Sequence, residues 1–247
     1  MEIIFKGKRA LVTGAGKGIG RTAAKALAQC GAEVIALART QADLDTLVKE
    51  VPSIKPLCVD LCNIQEAVKA IEEQDDIHLL VNNAGVLIQS PFLDITEEQF
   101  DKVNSINMKG ALFVAQAVAR KMVSGGFGGA IVNVSSRSSI RASSNNGIYG
   151  PLKASLDMLT KVMALELGPH KIRVNSVNPT FVNETRMADQ GLGRLTPDER
   201  QAKINTLPLG KYPEKEDVVN AILYLLSDKA AMVNGVNLLV DAGPFGR

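Results

Sequence analysis

Ala10-Leu11-Val12-Thr13-Gly14-Ala15-Gly16-Lys17-Gly18-Ile19-Gly20 is the stretch from which the rest of the chain is read. A short apolar run, Ala10–Thr13, enters a glycine-rich turn and leaves it as an amphipathic stretch, Gly20–Gln29. Glycines between a strand and a helix let the backbone approach a pyrophosphate closely, and the helix N-terminus adds N–H donors and a favourable dipole. The spacing is Gly14-x-x-x-Gly18-x-Gly20, with Gly14-x-Gly16 inside it. Such a motif is weak alone. Here a strand precedes it and a helix follows, which is the context it requires.

The alternation continues outward from this unit. Further strands are expected at Glu33–Ala38, Lys55–Val59, Leu79–Asn82, Ala130–Ser135, Arg173–Asn178 and Asn237–Val240. Most are nearly continuous apolar runs, as in strands buried on both faces. Amphipathic stretches at Glu97–Met122, Lys153–Leu167 and Glu216–Ser227 read as helices. This βαβα order predicts an α/β fold: a single doubly wound Rossmann domain over residues 1–247, with a seven-stranded parallel sheet, helices on both faces and right-handed crossovers. Segment Glu184–Leu207 is the least regular and reads either as a lid over the site or as a surface excursion.

Composition narrows the function. A net charge of +2 over 247 residues lacks the footprint of a nucleic-acid or membrane-surface binder. No apolar run approaches the ~20 residues of a membrane span, and the opening MEIIFKGKRALVTG carries no secretory signal, so a soluble cytoplasmic protein is expected. The three cysteines, Cys30, Cys58 and Cys62, are an odd set in a reducing context. With the histidines distant, they read as structural thiols that behave as small hydrophobes, and no metal site is expected.

Charge at the second strand speaks to cofactor choice. An acid about 20 residues beyond the glycines would hold the ribose hydroxyls of NAD. Arg39 stands near that point, followed by Thr40, and Lys17 sits inside the glycine turn. A guanidinium can grip a 2′-phosphate in a fork, so two cations and no acid favour NADPH. Downstream, Tyr149 and Lys153 are four apart and share a helix face. A nearby ammonium favours a phenolate, the tuning that acid–base work needs. Pro151 is tolerable only near a helix start, which places Tyr149 in or just before the first turn. A serine hydroxyl thirteen residues earlier, at Ser136, could stabilise a developing oxyanion; Ser135 and Ser139 compete with it by sequence alone. Asn107 sits mid-helix, where asparagine is mildly unfavourable.

The glycine turn in its Thr13-Gly14-x-x-x-Gly18-Ile19-Gly20 form, Asn82-Asn83-Ala84-Gly85, and the Tyr149/Lys153 pair resemble the short-chain dehydrogenase/reductase family, with a likeness running from Gly7 to Gly243. The resemblance implies a catalytic tetrad of Asn107, Ser136, Tyr149 and Lys153. Tyr149 would protonate the carbonyl oxygen and Ser136 would stabilise it. Lys153 would hold the nicotinamide ribose and depress the tyrosine pKa, and Asn107 would hold a relay water. It also implies cofactor contacts from Gly14, Lys17, Gly18, Ile19, Gly20, Arg39 and Thr40. Asp60 and Leu61 would meet the adenine, Asn83, Ala84 and Gly85 the ribose, and Val182 and Thr185 the carboxamide. Ser136, Arg137, Asn146 and Tyr149 would face substrate, with Arg141 flanking the pocket. Thr180 replaces the usual glycine after Pro179 and Thr185 comes one residue late, which leaves the Thr185 contact open.

Asp157–Thr180 and Arg39–Leu44 look especially like the dicarbonyl (L-xylulose) reductase branch, which reduces L-xylulose and small α-dicarbonyls such as diacetyl and is tetrameric. The branch implies an NADPH-dependent carbonyl reductase. Another reductase of the family, such as one acting on 3-oxoacyl thioesters, and a catalytically silent NADPH-binding scaffold are the alternatives. Leu112, Phe113, Leu156 and Leu159 could be core or subunit interface.

Overall fold

A computed structural model describes residues 2–193 and 195–243. Seven parallel strands form one sheet in the order β3-β2-β1-β4-β5-β6-β7. They are β1 Arg9–Thr13, β2 Glu33–Ala38, β3 Lys55–Cys58, β4 Leu79–Asn82, β5 Gly129–Val134, β6 Ile172–Pro179 and β7 Asn237–Val240. Strand order reverses between β1 and β4, so their carboxyl ends open a crevice, where doubly wound sheets bind ligands.

Successive strand side chains point to opposite faces, and the core is accordingly two layers. Ala10, Val12, Val34 and Ala36 face one way, against Ala24 and Leu27 of α1 (Gly18–Gln29), Leu44 and Leu47 of α2 (Gln41–Glu50), and Ile222 and Leu226 of α9 (Lys215–Leu226). Leu11, Ile35, Leu37, Leu80 and Ile131 face the other way, against Ile71 of α3 (Ile64–Glu72), Val114 and Val118 of α5 (Ala111–Gly125) and Ala164 of α6 (Tyr149–Leu167). Each such leucine or isoleucine contributes about 1.5–3 kcal/mol by burial. Asn63, rather than Asp60, caps α3, its side chain accepting from the Glu66 N–H. The edge strands depart from the continuous-burial reading: β3 is largely exposed and β7 half-exposed. Cys58 and Cys62 are also exposed and Cys30 half-buried, so the first two are not core hydrophobes.

Three local findings bear on the site. The expected helix Glu97–Met122 is interrupted: α4 (Glu97–Asn104) passes into a π-helical turn, Ser105–Gly110, before α5. Apolar periodicity cannot register one widened turn, yet such turns frequently mark functional sites. The helix expected from Lys153 begins earlier, at Tyr149, with Pro151 in its first turn. Segment Glu184–Leu207 contains α7 (Arg186–Leu192) and α8 (Pro197–Asn205), started by side-chain caps at Thr185 and Thr196. The glycines at 191 and 193 obscured that helicity in the sequence. Among the described residues, no helix is long and apolar enough to cross a membrane.

Candidate active site

A cleft of about 930 Å³ runs along the carboxyl ends of the strands, a size within the range of small-molecule and cofactor sites of about 300–1,000 Å³. One end is backbone. Gly14 has φ +66°, and a Cβ there would meet Asn83 Nδ2 at 2.8 Å and Ala84 Cα at 3.0 Å. The turn is pinned from the neighbouring strand: Asn83 Nδ2 donates to Thr13 O at 2.9 Å, and the N–H groups of Asn83 and Ala84 donate to Thr13 Oγ1 at 2.9 and 3.0 Å. Arg21 braces it from behind, donating to Gly16 O at 3.1 Å and Asp43 O at 3.0 Å. The first turn of α1 has neither a side-chain cap nor an acidic residue. Its N–H groups and dipole are therefore left for an anion. These features fit a dinucleotide's pyrophosphate.

Most residues picked from sequence line this cleft: Gly14, Lys17, Gly18, Ile19, Arg39, Thr40, Asp60, Leu61, Asn83, Ala84, Gly85, Ser136, Arg137, Asn146, Tyr149, Lys153, Val182 and Thr185. Gly20 and Asn107 do not line it. Gly20 lies beneath the turn, where an added Cβ would collide with Asn83 Nδ2 and the Gly14 carbonyl. Asn107, in the π-helical turn, clamps the chain after β4. It accepts from Val86 N–H at 2.8 Å and donates to Val86 O at 2.9 Å. Arg141 is exposed and outside the lining. Thr185 is committed to structure: its hydroxyl donates to Val182 O at 2.8 Å and accepts from Ala188 N–H.

The expectation of two cations and no acid needs amendment. Asp43, from α2, joins the same wall, and Lys17 Nζ lies 3.4 Å from its Oδ1. No motif marks Asp43; it enters because α2 packs back on the glycine turn. Lys17 is 73% exposed, so the pair itself stabilises little. Sequence reasoning also missed Met187, Lys203 and the hydroxyl of Thr180, all lining the cleft. Thr180 Oγ1 and Asn146 Oδ1 are buried without a hydrogen-bond partner, two polar atoms left for a ligand.

At the centre, Tyr149 and Lys153 project from the first turns of α6 and are buried. Lys153 Nζ donates to Val134 O at 2.7 Å and lies 5.6 Å from the centroid of the Tyr149 ring. Burial pushes the Lys153 ammonium down to about 8, opposed by the field of Asp157. Burial likewise pushes the Tyr149 phenol up to about 12, opposed by its hydrogen bond with Ser136. This differs from the depressed phenol that the family resemblance implied. In the free protein, dry surroundings penalise a phenolate more than neighbouring groups favour it. Tyr149 Oη also makes a long contact to Met187 Sδ, at 3.9 Å. Ser136 lies two residues beyond β5, at the start of a 3-10 turn, Arg137–Ser139, and its Oγ accepts from Ser138 N–H at 3.1 Å.

Comparison with known proteins places the chain in a family. Residues 14–244 match the family described as enoyl-(acyl carrier protein) reductase. The chain is 52% identical to a chicken D-erythrulose reductase, covering 98% of this chain and 97% of the relative. It is 51% identical to human L-xylulose reductase, covering 98% of each. The chain belongs to the short-chain dehydrogenase/reductase family. As a member it has the family's oxidoreductase fold. Gluconate 5-dehydrogenase from Burkholderia cenocepacia, solved with NADP and tartrate, superposes with a TM-score of 0.91 at 28% identity, covering 98% of this chain and 96% of that one.

Proposed function

We propose that this short-chain dehydrogenase/reductase is an NADPH-dependent carbonyl reductase acting on L-xylulose and small α-dicarbonyls. The observation that carries the reading is the buried Tyr149–Lys153 pair beside Ser136, in a cleft continuous with the glycine turn. When bound, a nicotinamide cofactor supplies the hydride. Gly14, Gly18 and Ile19 cradle its phosphates, with Gly20 keeping the turn closed. Arg39, Lys17 and Thr40 hold the 2′-phosphate, and the Asp43–Lys17 pair keeps that carboxylate from opposing it. Asp60 and Leu61 take the adenine, Asn83, Ala84 and Gly85 the ribose, and Val182 and Thr185 the carboxamide end. Relatives named L-xylulose reductase and D-erythrulose reductase, and a structural neighbour holding NADP, support both substrate and cofactor.

The chemistry of the residues follows from their environment. A phenol held near 12 is fully protonated at neutral pH, so Tyr149 is poised to give its Oη proton to a carbonyl oxygen as negative charge develops. Ser136 Oγ, on the same wall, stabilises that oxygen by hydrogen bonding. Lys153 keeps a positive charge behind the phenol and holds the nicotinamide ribose. Asn107 fixes Val86 and holds the relay water. Arg137 and Asn146, whose Oδ1 lacks a partner, receive the hydroxyls of the substrate.

Residues 1–247 act as one domain in a cytoplasmic homotetramer. Leu156 is core, but Phe113 on α5 and Met158, Val162 and Leu165 on α6 are large apolar side chains left exposed, which favours an interface on these helices. The test is NADPH oxidation with diacetyl and L-xylulose, with NADH and Tyr149→Phe as controls. Turnover with NADPH, little with NADH and near-abolition in the variant are expected. A folded, NADPH-binding protein silent on a wide carbonyl panel would overturn the reading in favour of a binding scaffold.

A further inference from the structure

Beneath the tetrad lies a carboxylate that the mechanism above does not use. Asp157 is four residues after Lys153 on α6, hence on the same helix face, and the two are only 6% and 3% exposed. Isolating a carboxylate from water costs several kcal/mol, and an apolar residue there would normally be no worse for stability. Its hydrogen-bond neighbours are neutral. Asn178 Nδ2 donates to Asp157 Oδ2 at 2.7 Å, and Ser176 Oγ lies 3.4 Å from Oδ1. The same Asn178 amide reaches Ser136 O at 3.3 Å and Ser139 Oγ at 3.0 Å, while Ser176 orients it by donating to Asn178 Oδ1 at 2.7 Å.

We propose that Asp157 is a positioning residue of the catalytic centre: the buried counter-ion of Lys153, which also holds the Ser136 backbone in place through Asn178. Other charged groups on elements packed against α6 are Arg137 before it, Lys109 of the π-helical turn, Arg120 and Lys121 of α5, His170 of the following 3-10 turn and Arg173 of β6. Asp157, one turn along the same face of α6, is the charged group whose field favours the Lys153 ammonium. Asp157 thus sets the pH range over which Lys153 stays charged. Asn178 fixes where that carboxylate sits and transmits its position to the loop carrying the Ser136 hydroxyl. The catalytic consequence rests on the reading of Tyr149 and Lys153 given above; the electrostatic pairing does not.

Asp157→Asn is the test, because it keeps the size and an oxygen that can accept from Asn178 but removes the charge. In the cofactor-free protein, the Lys153 13Cε resonance is titrated by NMR. Its midpoint is expected to fall by about one unit, the low end for losing an adjacent opposite charge. With a reducible carbonyl, kcat/KM is then expected to fall roughly fivefold near pH 8 and to stay within about a fifth of the parent near pH 6, where Lys153 is recharged. An unchanged midpoint, or an equal activity loss at both pH values, overturns the proposal and leaves Asp157 a packing residue. Should the variant not fold, the parent still decides: its Asp157 carboxyl carbon should shift at the Lys153 midpoint, and a flat trace there overturns the pairing. A parent that reduces no carbonyl would fail the functional reading while leaving both titrations interpretable.

Discussion

Gly20→Ala tests the cofactor cradle at its tightest point. The added methyl would collide with Asn83 Nδ2 and with the Gly14 carbonyl, neither of which is the free end of a flexible side chain. Asn83 Nδ2 is engaged with Thr13 O at 2.9 Å, so moving it loosens the tie between the ends of β1 and β4. Overpacking of this kind costs about 1–3 kcal/mol, and the displaced hydrogen bond about 1 kcal/mol more. For a chain of this size each kcal/mol lowers Tm by about 2–4 °C, so a drop of roughly 4–16 °C is expected. The same displacement moves the backbone proposed to approach the pyrophosphate, and a penalty of about 1.4 kcal/mol there would weaken NADPH tenfold. Gly18→Ala is the control. Its Cβ finds nothing nearer than Thr185 Cγ2 at 3.7 Å, but φ of +55° strains it, by about 1–2 kcal/mol. Differential scanning fluorimetry and NADPH titration by fluorescence read both variants. If Gly20→Ala melts within about 2 °C of the parent and binds NADPH equally, or if Gly18→Ala is the worse of the two, the close-approach argument is wrong.

Other outcomes can be checked with the same preparations. Tyr149→Phe should lose about 10²–10⁴-fold in kcat, as removal of a general acid does, with a small drop in Tm of about 2–4 °C, because the hydroxyl gives up one hydrogen bond with Ser136, worth about 1 kcal/mol, and a long contact to Met187. The parent's kcat/KM should fall as pH rises through about 8, where Lys153 loses its proton, in a stopped-flow pH profile. Tyr149 also links stability to pH. Its folded pKa, about 12, lies above the unfolded value, so its stabilising share is present below pH 10 and is lost as pH rises from 10 to 12. In urea titrations, the parent's stability relative to Tyr149→Phe should fall by about 2 kcal/mol over that window. Arg39→Ala should raise the Kd for NADPH about tenfold while leaving NADH within twofold, measured by quenching; an equal change for both would show that Arg39 does not read the 2′-phosphate.

Where local pattern and tertiary structure agree, the residues that line the cleft were legible in advance. A glycine turn between an apolar strand and an amphipathic helix has few other uses, and Tyr149 had to lie at a helix start because Pro151 follows it. The π-helical turn around Asn107 was not legible, since one widened turn leaves the apolar periodicity on both sides intact. Nor were α7 and α8: Gly191, Gly193 and Pro197 read as breakers, although Thr185 and Thr196 cap the two helices.

The sequence by itself determined the doubly wound sheet and the position along the chain of the Tyr149–Lys153 pair, because strand and helix periods and i, i+4 spacing are local properties. Tertiary structure alone decided that Asp43 joins Lys17 at the cofactor wall, that Asp157 reaches Ser136 through Asn178, and that the Tyr149 phenol lies near 12 rather than below its ordinary value. Those outcomes depend on which groups the folded chain shuts away from water and which charges it leaves beside them, and neither is a property of sequence spacing.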